Sequence, residues 1–260
     1  MLNIDCVIVG SGMAGMTAAI YLKRSNVDVC IIESDVPGGI LNKINIIENY
    51  PGFDSITGPN LAYKVFDQVN KLKIPIKYNK VLEIDNNVIK TDKEQITAKK
   101  IIIATGRPPK RFKLLDGYHN VSYCAVCDGN LYKNKKVALI GENVKEELDY
   151  LSTICSEVIV VSNKDIKSVN SKDNIVYEII TDKIIPVDGV FVYLGYEPKT
   201  DFVKNIKLDN GYIVVDKNMQ TSNPNIYACG DIVSKDIYQL TTATSDATIA
   251  AINVKKNLNL

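Results

Sequence analysis

Asn3-Ile-Asp-Cys-Val-Ile-Val-Gly10-Ser-Gly12-Met-Ala-Gly15 decides the fold of this 260-residue chain. Its apolar run reads as a short buried strand over residues 3–10, followed by a glycine turn and a helical pattern to about residue 23. Residues 27–33 form a second strand that ends in an acid, Glu33. The order is strand, glycine turn, helix, strand, acid. Gly10 permits a tight turn, Gly12 lets backbone approach a pyrophosphate, and Gly15 lets helix and sheet pack closely. The helix N-terminus faces the phosphates, and Glu33 is placed to bond a ribose hydroxyl. The pattern predicts a dinucleotide site, but on its own it does not choose between FAD and NAD.

Farther along, residues 57–73 look like an amphipathic helix with Leu61, Val65, Val69 and Leu72 on one face. Residues 74–96 alternate like paired strands, with a turn at Asp85-Asn86-Asn87. Residues 100–104 read as a buried strand, ended by Thr105-Gly106-Arg107-Pro108-Pro109. The proline pair and the basic run after it mark a boundary near residue 112. A second strand, turn and helix then begins: strand over 136–141, helix over 144–154, strand over 157–162. Its turn, Gly141-Glu142-Asn143-Val144-Lys145-Glu146-Glu147, keeps only the first glycine. Three acids stand where a pyrophosphate would sit. No arginine follows Arg111, so a guanidinium clamp for a 2′-phosphate is missing. Further strands are expected within 166–185, over 188–194 and over 211–215, and a closing helix over 240–256.

Composition narrows the functional classes. A hydrophobic content of 46% supports a real core, and a formal net charge of +1 gives no case for nucleic acid. No apolar run is long enough to cross a bilayer, and no charged leader precedes the first strand. The expected location is cytoplasmic, where a disulfide is catalytic or regulatory rather than a structural staple.

Cys124-Ala-Val-Cys127-Asp128-Gly129 carries the chemistry. Two cysteines two residues apart can close a small disulfide ring that reopens readily, and such a pair lowers the pKa of one thiol. Asp128 adds a proton donor and acceptor beside the sulfurs, which thiol exchange needs because the leaving thiolate must be protonated. Asp128 can also serve as a helix cap. The pair could instead be half of a zinc site. That site lacks a second close pair, since Cys6, Cys30, Cys155 and Cys229 are separated singletons and His119 is the one histidine. We expect no metal, and we expect the four singletons to be buried and inert.

Taken together, Gly10-Ser-Gly-Met-Ala-Gly15 with Glu33, Asn49-Tyr-Pro-Gly52, Ala104-Thr-Gly106, the Cys124–Cys127 motif and Tyr227-Ala-Cys-Gly-Asp231 resemble the thioredoxin reductase family of flavoproteins, in the family's order and over nearly the whole chain. The resemblance implies an α/β fold of two Rossmann-like domains, the second inserted in the first and truncated. Residues 1–112 with 197–260 would form the FAD-binding domain, and 113–196 the inserted domain that carries the redox pair. It implies that Gly10, Gly12, Ala14 and Gly15 hold the FAD pyrophosphate, with Glu33 on the adenosine ribose. Gly39 and Leu41 would lie along the cofactor and Asn49 near the flavin ring. Ala104, Thr105 and Gly106 would pass its adenosine and pyrophosphate part. Gly230 and Asp231 would meet the ribityl or pyrophosphate edge, and Gln239 would stand beside the isoalloxazine. Cys127 would face the flavin, Cys124 would attack the substrate disulfide, and Asp128 would be the acid and base. Thioredoxin is the implied partner, and a homodimer the implied assembly.

The departures concern the electron donor. NADPH-dependent members keep the glycine turn and arginine clamp that this chain lacks, and Tyr238 stands where an arginine usually precedes the glutamine. The pattern therefore resembles the ferredoxin-dependent flavin thioredoxin reductases, which implies reduced ferredoxin as donor. The other readings are a divergent NAD(P)H-dependent reductase and a flavin-binding redox sensor without turnover. Lys133, Lys135 and Lys136 after the disulfide, and Lys110, Arg111 and Lys113 before it, could meet an acidic donor or be plain solvated surface.

Overall fold

The computed structural model describes residues 3–258. Strand β1 (Asn3–Val9), helix α1 (Met13–Arg24) and strand β2 (Val29–Glu33) follow one another as the opening sequence predicts. Helix α2 (Gly58–Lys71) comes next, started by Thr57, whose hydroxyl accepts the Asn60 N–H at 3.3 Å. Strands β3 (Ile76–Tyr78), β4 (Val81–Asp85), β5 (Val88–Thr91) and β6 (Gln95–Ile103) follow. The β4–β5 hairpin turns at Asn86, whose φ of 51° suits a residue that tolerates the left-handed region. The chain to Pro108 forms one compact unit with the chain from Pro198 onward, and residues from Pro109 to Glu197 form a second.

The second unit contains β7 (Val121–Ser122), the short helix α3 (Ala125–Asp128), β8 (Lys136–Gly141), α4 (Lys145–Ser152) and β9 (Glu157–Val161). It continues with β10 (Ser168–Lys172), β11 (Ile175–Ile180), β12 (Ile184–Pro186) and β13 (Gly189–Tyr193). A parallel sheet runs β7-β13-β8-β9, and β10-β11-β12 form an antiparallel sheet of their own. The stretch 166–185, expected to hold only a little strand, is thus a three-stranded sheet. Buried Asn120 ties the two sheets together. Its amide donates to the Val176 carbonyl at 2.7 Å and the Asp188 carbonyl at 3.0 Å, and its oxygen accepts the Val176 N–H at 2.9 Å. The two bonds to Val176 satisfy buried backbone groups that would otherwise cost about 1–3 kcal/mol each.

The chain then returns to the first unit with β14 (Leu208–Asp209), β15 (Tyr212–Ile213), β16 (Ile226–Ala228) and the last helix, α5 (Leu240–Asn257). The main sheet of this unit runs β3-β2-β1-β6-β5-β4, with β16 parallel to the C-terminal half of β6. Its central strands are parallel and buried on both faces, which is why they read as unbroken aliphatic runs. Ile8, Ile31 and Ile102 point to the face covered by α1 and α5; Val7, Ile32 and Ile101 point to the other. Each of these side chains contributes about 1.5–3 kcal/mol by leaving water. Ala243, Ala247, Ala250, Ala251 and Val254 form the buried stripe of α5, and their small size allows close approach to Ala18 and Ala19 of α1.

Candidate active site

The glycine turn between β1 and α1 is built by contact, and each glycine has a different neighbour. A Cβ on Gly10 would stand 2.5 Å from the Ala104 carbonyl oxygen, and one on Gly15 would stand 1.9 Å from the Gly10 carbonyl oxygen. Backbone therefore passes backbone where β1, α1 and the end of β6 meet. A Cβ on Gly12 would meet nothing within 4 Å. That open side lies at the N-terminus of α1, which has no side-chain cap and no acid in its first turn. The unpaired N–H groups there favour an anion.

Glu33 closes the turn at the end of β2. Its Oε2 accepts the Ser11 N–H at 2.8 Å and the Ser11 hydroxyl at 2.6 Å; its Oε1 accepts the N–H groups of Ser34 at 2.7 Å and Asp35 at 3.0 Å. Three backbone donors orient the carboxylate, and the Ser11 hydroxyl is the one partner that can turn away in favour of a ligand hydroxyl. Gly39 lies against this turn, where its Cβ would be 3.4 Å from the Gly12 Cα. Leu41 is fully buried among Met13, Ile47, Leu61 and Ala62, so its side chain supports the turn from below.

The returning chain joins the same place. Gly230 has a φ of 77°, and a Cβ there would stand 2.7 Å from the Ala14 Cβ. Only glycine suits both the conformation and the space. Asp231 follows it with a buried Oδ1 that has no hydrogen-bond partner among the described residues. The Lys235 Nζ is 3.8 Å from that oxygen, and Arg107 Nε is 3.6 Å from Oδ2. Lys235 is itself held by Asp246 at 2.7 Å, and Arg107 stacks over Tyr238 with its guanidinium 3.8 Å from the ring centre. Asn49 donates to the Gln239 side-chain oxygen at 3.2 Å, so two exposed polar groups far apart in sequence meet. Thr105 is exposed and Gly106 has a φ of 65° with open space around it. An orphaned acceptor, an open helix N-terminus and a turn lined by glycine fit a dinucleotide cofactor.

In the second unit, Cys124 and Cys127 form a disulfide across α3, with Cα atoms 5.3 Å apart. Cys124 caps the helix, its sulfur accepting the Cys127 N–H at 3.1 Å. Cys124 is buried and Cys127 exposed. Sequence reasoning found these cysteines and Asp128 but missed the side chains that fix them. Ser122 is 2.7 Å from Asp128 Oδ2, and its oxygen accepts the Cys124 N–H at 3.0 Å. Tyr193 at the end of β13 accepts the Ala125 N–H on its hydroxyl oxygen at 2.6 Å. Burial pushes the Tyr193 phenol up to about 12, so it stays neutral through the working range. Nothing in the local sequence pairs residues 68 apart.

The turn after β8 has a different character from the first. Val144 opens α4 without a side-chain cap, and Glu146 and Glu147 occupy its first turn. Burial, with Glu146 nearby, holds the Glu147 carboxyl above its ordinary range. Glu142 pairs with Lys164, Oε1 to Nζ 2.8 Å. Of the remaining cysteines, Cys6, Cys30 and Cys229 are buried and burial pushes their thiols up, Cys30 to about 11. Cys155 departs from the expectation of burial: it is half-exposed just past α4. Among the described residues no group of three or more His, Cys, Asp or Glu side chains could hold a metal, and no helix is long and apolar enough to cross a membrane.

A family model described as pyridine nucleotide-disulphide oxidoreductase matches residues 4–144 and 152–247. A thioredoxin reductase of Ureaplasma parvum is 37% identical over 296 aligned positions, spanning 97% of this chain and 96% of that protein. The crystal structure of Lactococcus lactis thioredoxin reductase is 31% identical with a TM-score of 0.87, covering 99% of both chains. A ferredoxin-flavin thioredoxin reductase from Clostridium acetobutylicum is 30% identical with a TM-score of 0.62, over 99% of this chain and 98% of that one. The chain belongs to the thioredoxin reductases of the pyridine nucleotide-disulphide oxidoreductase family, whose members are FAD-dependent flavoproteins.

Proposed function

We propose that the chain reduces thioredoxin through the Cys124–Cys127 disulfide as a FAD-dependent oxidoreductase, with reduced ferredoxin as its electron donor. FAD, when bound, supplies the carrier between the donor and the dithiol. Gly10, Gly12, Ala14 and Gly15 would hold its pyrophosphate at the N-terminus of α1, and Glu33 would take its ribose. Asp231 Oδ1 would accept one of its hydroxyls. Gly39, Asn49, Ala104, Thr105, Gly106, Gly230 and Gln239 would line the rest, with Leu41 as support.

The disulfide chemistry balances within the chain and its partner. One thiolate of the reduced pair attacks a sulfur of the oxidised partner, and a mixed disulfide forms as the partner's other sulfur leaves. The second enzyme thiolate then attacks the enzyme sulfur of that mixed bond. The partner departs as a dithiol, and Cys124–Cys127 closes again. Asp128 takes a proton from an enzyme thiol and gives it to the leaving thiolate.

The single observation that carries the donor assignment is the turn after β8. Glu142, Glu146 and Glu147 stand at a helix N-terminus where a pyrophosphate would need unopposed N–H groups; of the cations there, Lys164 is paired with Glu142, and Lys145 opens the helix beside two acids. A relative named as a ferredoxin-flavin thioredoxin reductase supports the same reading. One observation favours a second reading, an NAD(P)H-dependent enzyme: the second unit keeps the parallel β8, α4, β9 succession. We also propose a cytoplasmic homodimer, which light scattering of the purified protein tests. The functional test is turnover. Reduced ferredoxin with the enzyme should convert oxidised thioredoxin to dithiol catalytically, and the absence of thioredoxin reduction with any donor would defeat the proposal.

A further inference from the structure

We propose that Ser122 is a positioning residue that holds Asp128 in place through both of its protonation states. This rests on the reading of Asp128 as the acid and base of the dithiol reaction. Ser122 ends β7 and is 6% exposed. Its Oγ has three polar neighbours: Asp128 Oδ2 at 2.7 Å, the Cys124 carbonyl oxygen at 3.2 Å, and the Cys124 N–H, which it accepts at 3.0 Å. A hydroxyl has one proton to donate and two lone pairs to accept with.

With Asp128 ionised, the serine proton goes to Oδ2, the shorter and charge-assisted bond. With Asp128 protonated, the carboxyl O–H donates to the serine oxygen, and the serine proton turns to the Cys124 carbonyl. In both states the serine oxygen still accepts the Cys124 N–H. One hydroxyl rotation thus accompanies each proton that Asp128 gains or loses, and neither the carboxyl nor the first cysteine loses its anchor. A buried carboxyl neighbour able only to donate or only to accept would favour one state and hinder the other. Alanine at this position leaves both states without that partner.

The test uses two disulfides whose leaving groups differ. Thioredoxin leaves through an ordinary thiolate that must be protonated. 5,5′-Dithiobis(2-nitrobenzoate) releases a thiol so acidic that it departs as a stable anion and needs no proton. Flavin-loaded enzyme reduced with stoichiometric dithionite is mixed with each disulfide. Ser122→Ala should slow the thioredoxin step about tenfold by loosening the acid. It should slow the nitrobenzoate disulfide less, because there Asp128 serves only as the base for the attacking thiol, and Ser122→Thr should restore the thioredoxin rate. Adding Ser122→Ala to Asp128→Asn should cause no further loss, because both act through one carboxyl. Equal slowing with both disulfides, as a purely structural serine would give, overturns the inference. A wild-type thioredoxin rate in Ser122→Ala beside a slowed Asp128→Asn overturns it while sparing the role of Asp128. Full activity of Asp128→Asn on both disulfides removes the reading on which it rests.

Discussion

Glu142 and Lys164 lie 2.8 Å apart, so the acid in the turn after β8 and the cation beyond β9 neutralise each other. The Glu142 carboxyl is held below its ordinary value and the Lys164 amine above its own, each because of the other. A nucleotide phosphate approaching this turn therefore finds a cation already paired, beside Glu146 and Glu147. Removing the three acids should reopen the helix N-terminus. In Glu142→Ala/Glu146→Ala/Glu147→Ala we expect NADPH binding, read by quenching of protein fluorescence, to tighten by about tenfold or more over the wild type.

The two kinds of glycine in the first turn should separate folding from cofactor binding. Gly12→Ala places a methyl in open space, so the apoprotein should keep its thermal midpoint while FAD affinity falls at least about tenfold. Gly15→Ala drives a methyl onto the Gly10 carbonyl, and the apoprotein itself should be destabilised by about 1–3 kcal/mol or more. Equal thermal midpoints for the two apoproteins would contradict this division.

Removing the Tyr193 hydroxyl leaves the buried Ala125 N–H without its acceptor. Tyr193→Phe should lose about 1–3 kcal/mol in denaturant unfolding. Because the phenol stays neutral up to about 12, that loss should not vary between pH 6 and 9 by more than about 0.5 kcal/mol.

Sequence shows best what lies within a few residues. The β1–α1–β2 unit was legible because one run of aliphatic residues, three glycines and one acid specify it locally. Cys124, Cys127 and Asp128 were legible for the same reason. Asn49 with Gln239, and Tyr193 with Ala125, were not, since each bond joins segments that only the tertiary fold brings together. The β10–β12 sheet was hidden by short strands with mixed exposure, where alternation is weak. Cys155 sits past the end of α4, and only Ile154 beside it is apolar, while Thr153, Ser156 and Glu157 already mark the end of the helix. Asn26, Asn86, Asn134, Asn143, Asn174, Asn205 and Asn210 all adopt a positive φ.

Asp5 provides a pH test of the main sheet. It accepts from the Lys99 amine at 2.8 Å and from the Asp28 N–H at 3.1 Å, and these bonds, Lys99 foremost, hold its carboxyl below the ordinary 3.8. A depressed carboxyl stabilises the fold above its unfolded value and loses that contribution as pH falls through the folded one. Asp5→Asn should therefore cost up to about 1 kcal/mol at neutral pH. The gap to wild type should close as pH drops below 3.8, and a gap that widens there would contradict the assignment.

The most direct test of the central claim is an anaerobic stopped-flow comparison of electron donors, following loss of the oxidised flavin absorbance. Reduced ferredoxin should bleach the flavin rapidly and generate two new thiols at Cys124 and Cys127, while NADPH and NADH leave the spectrum unchanged over the same time. Rapid bleaching by NADPH, with ferredoxin inert, would contradict the account.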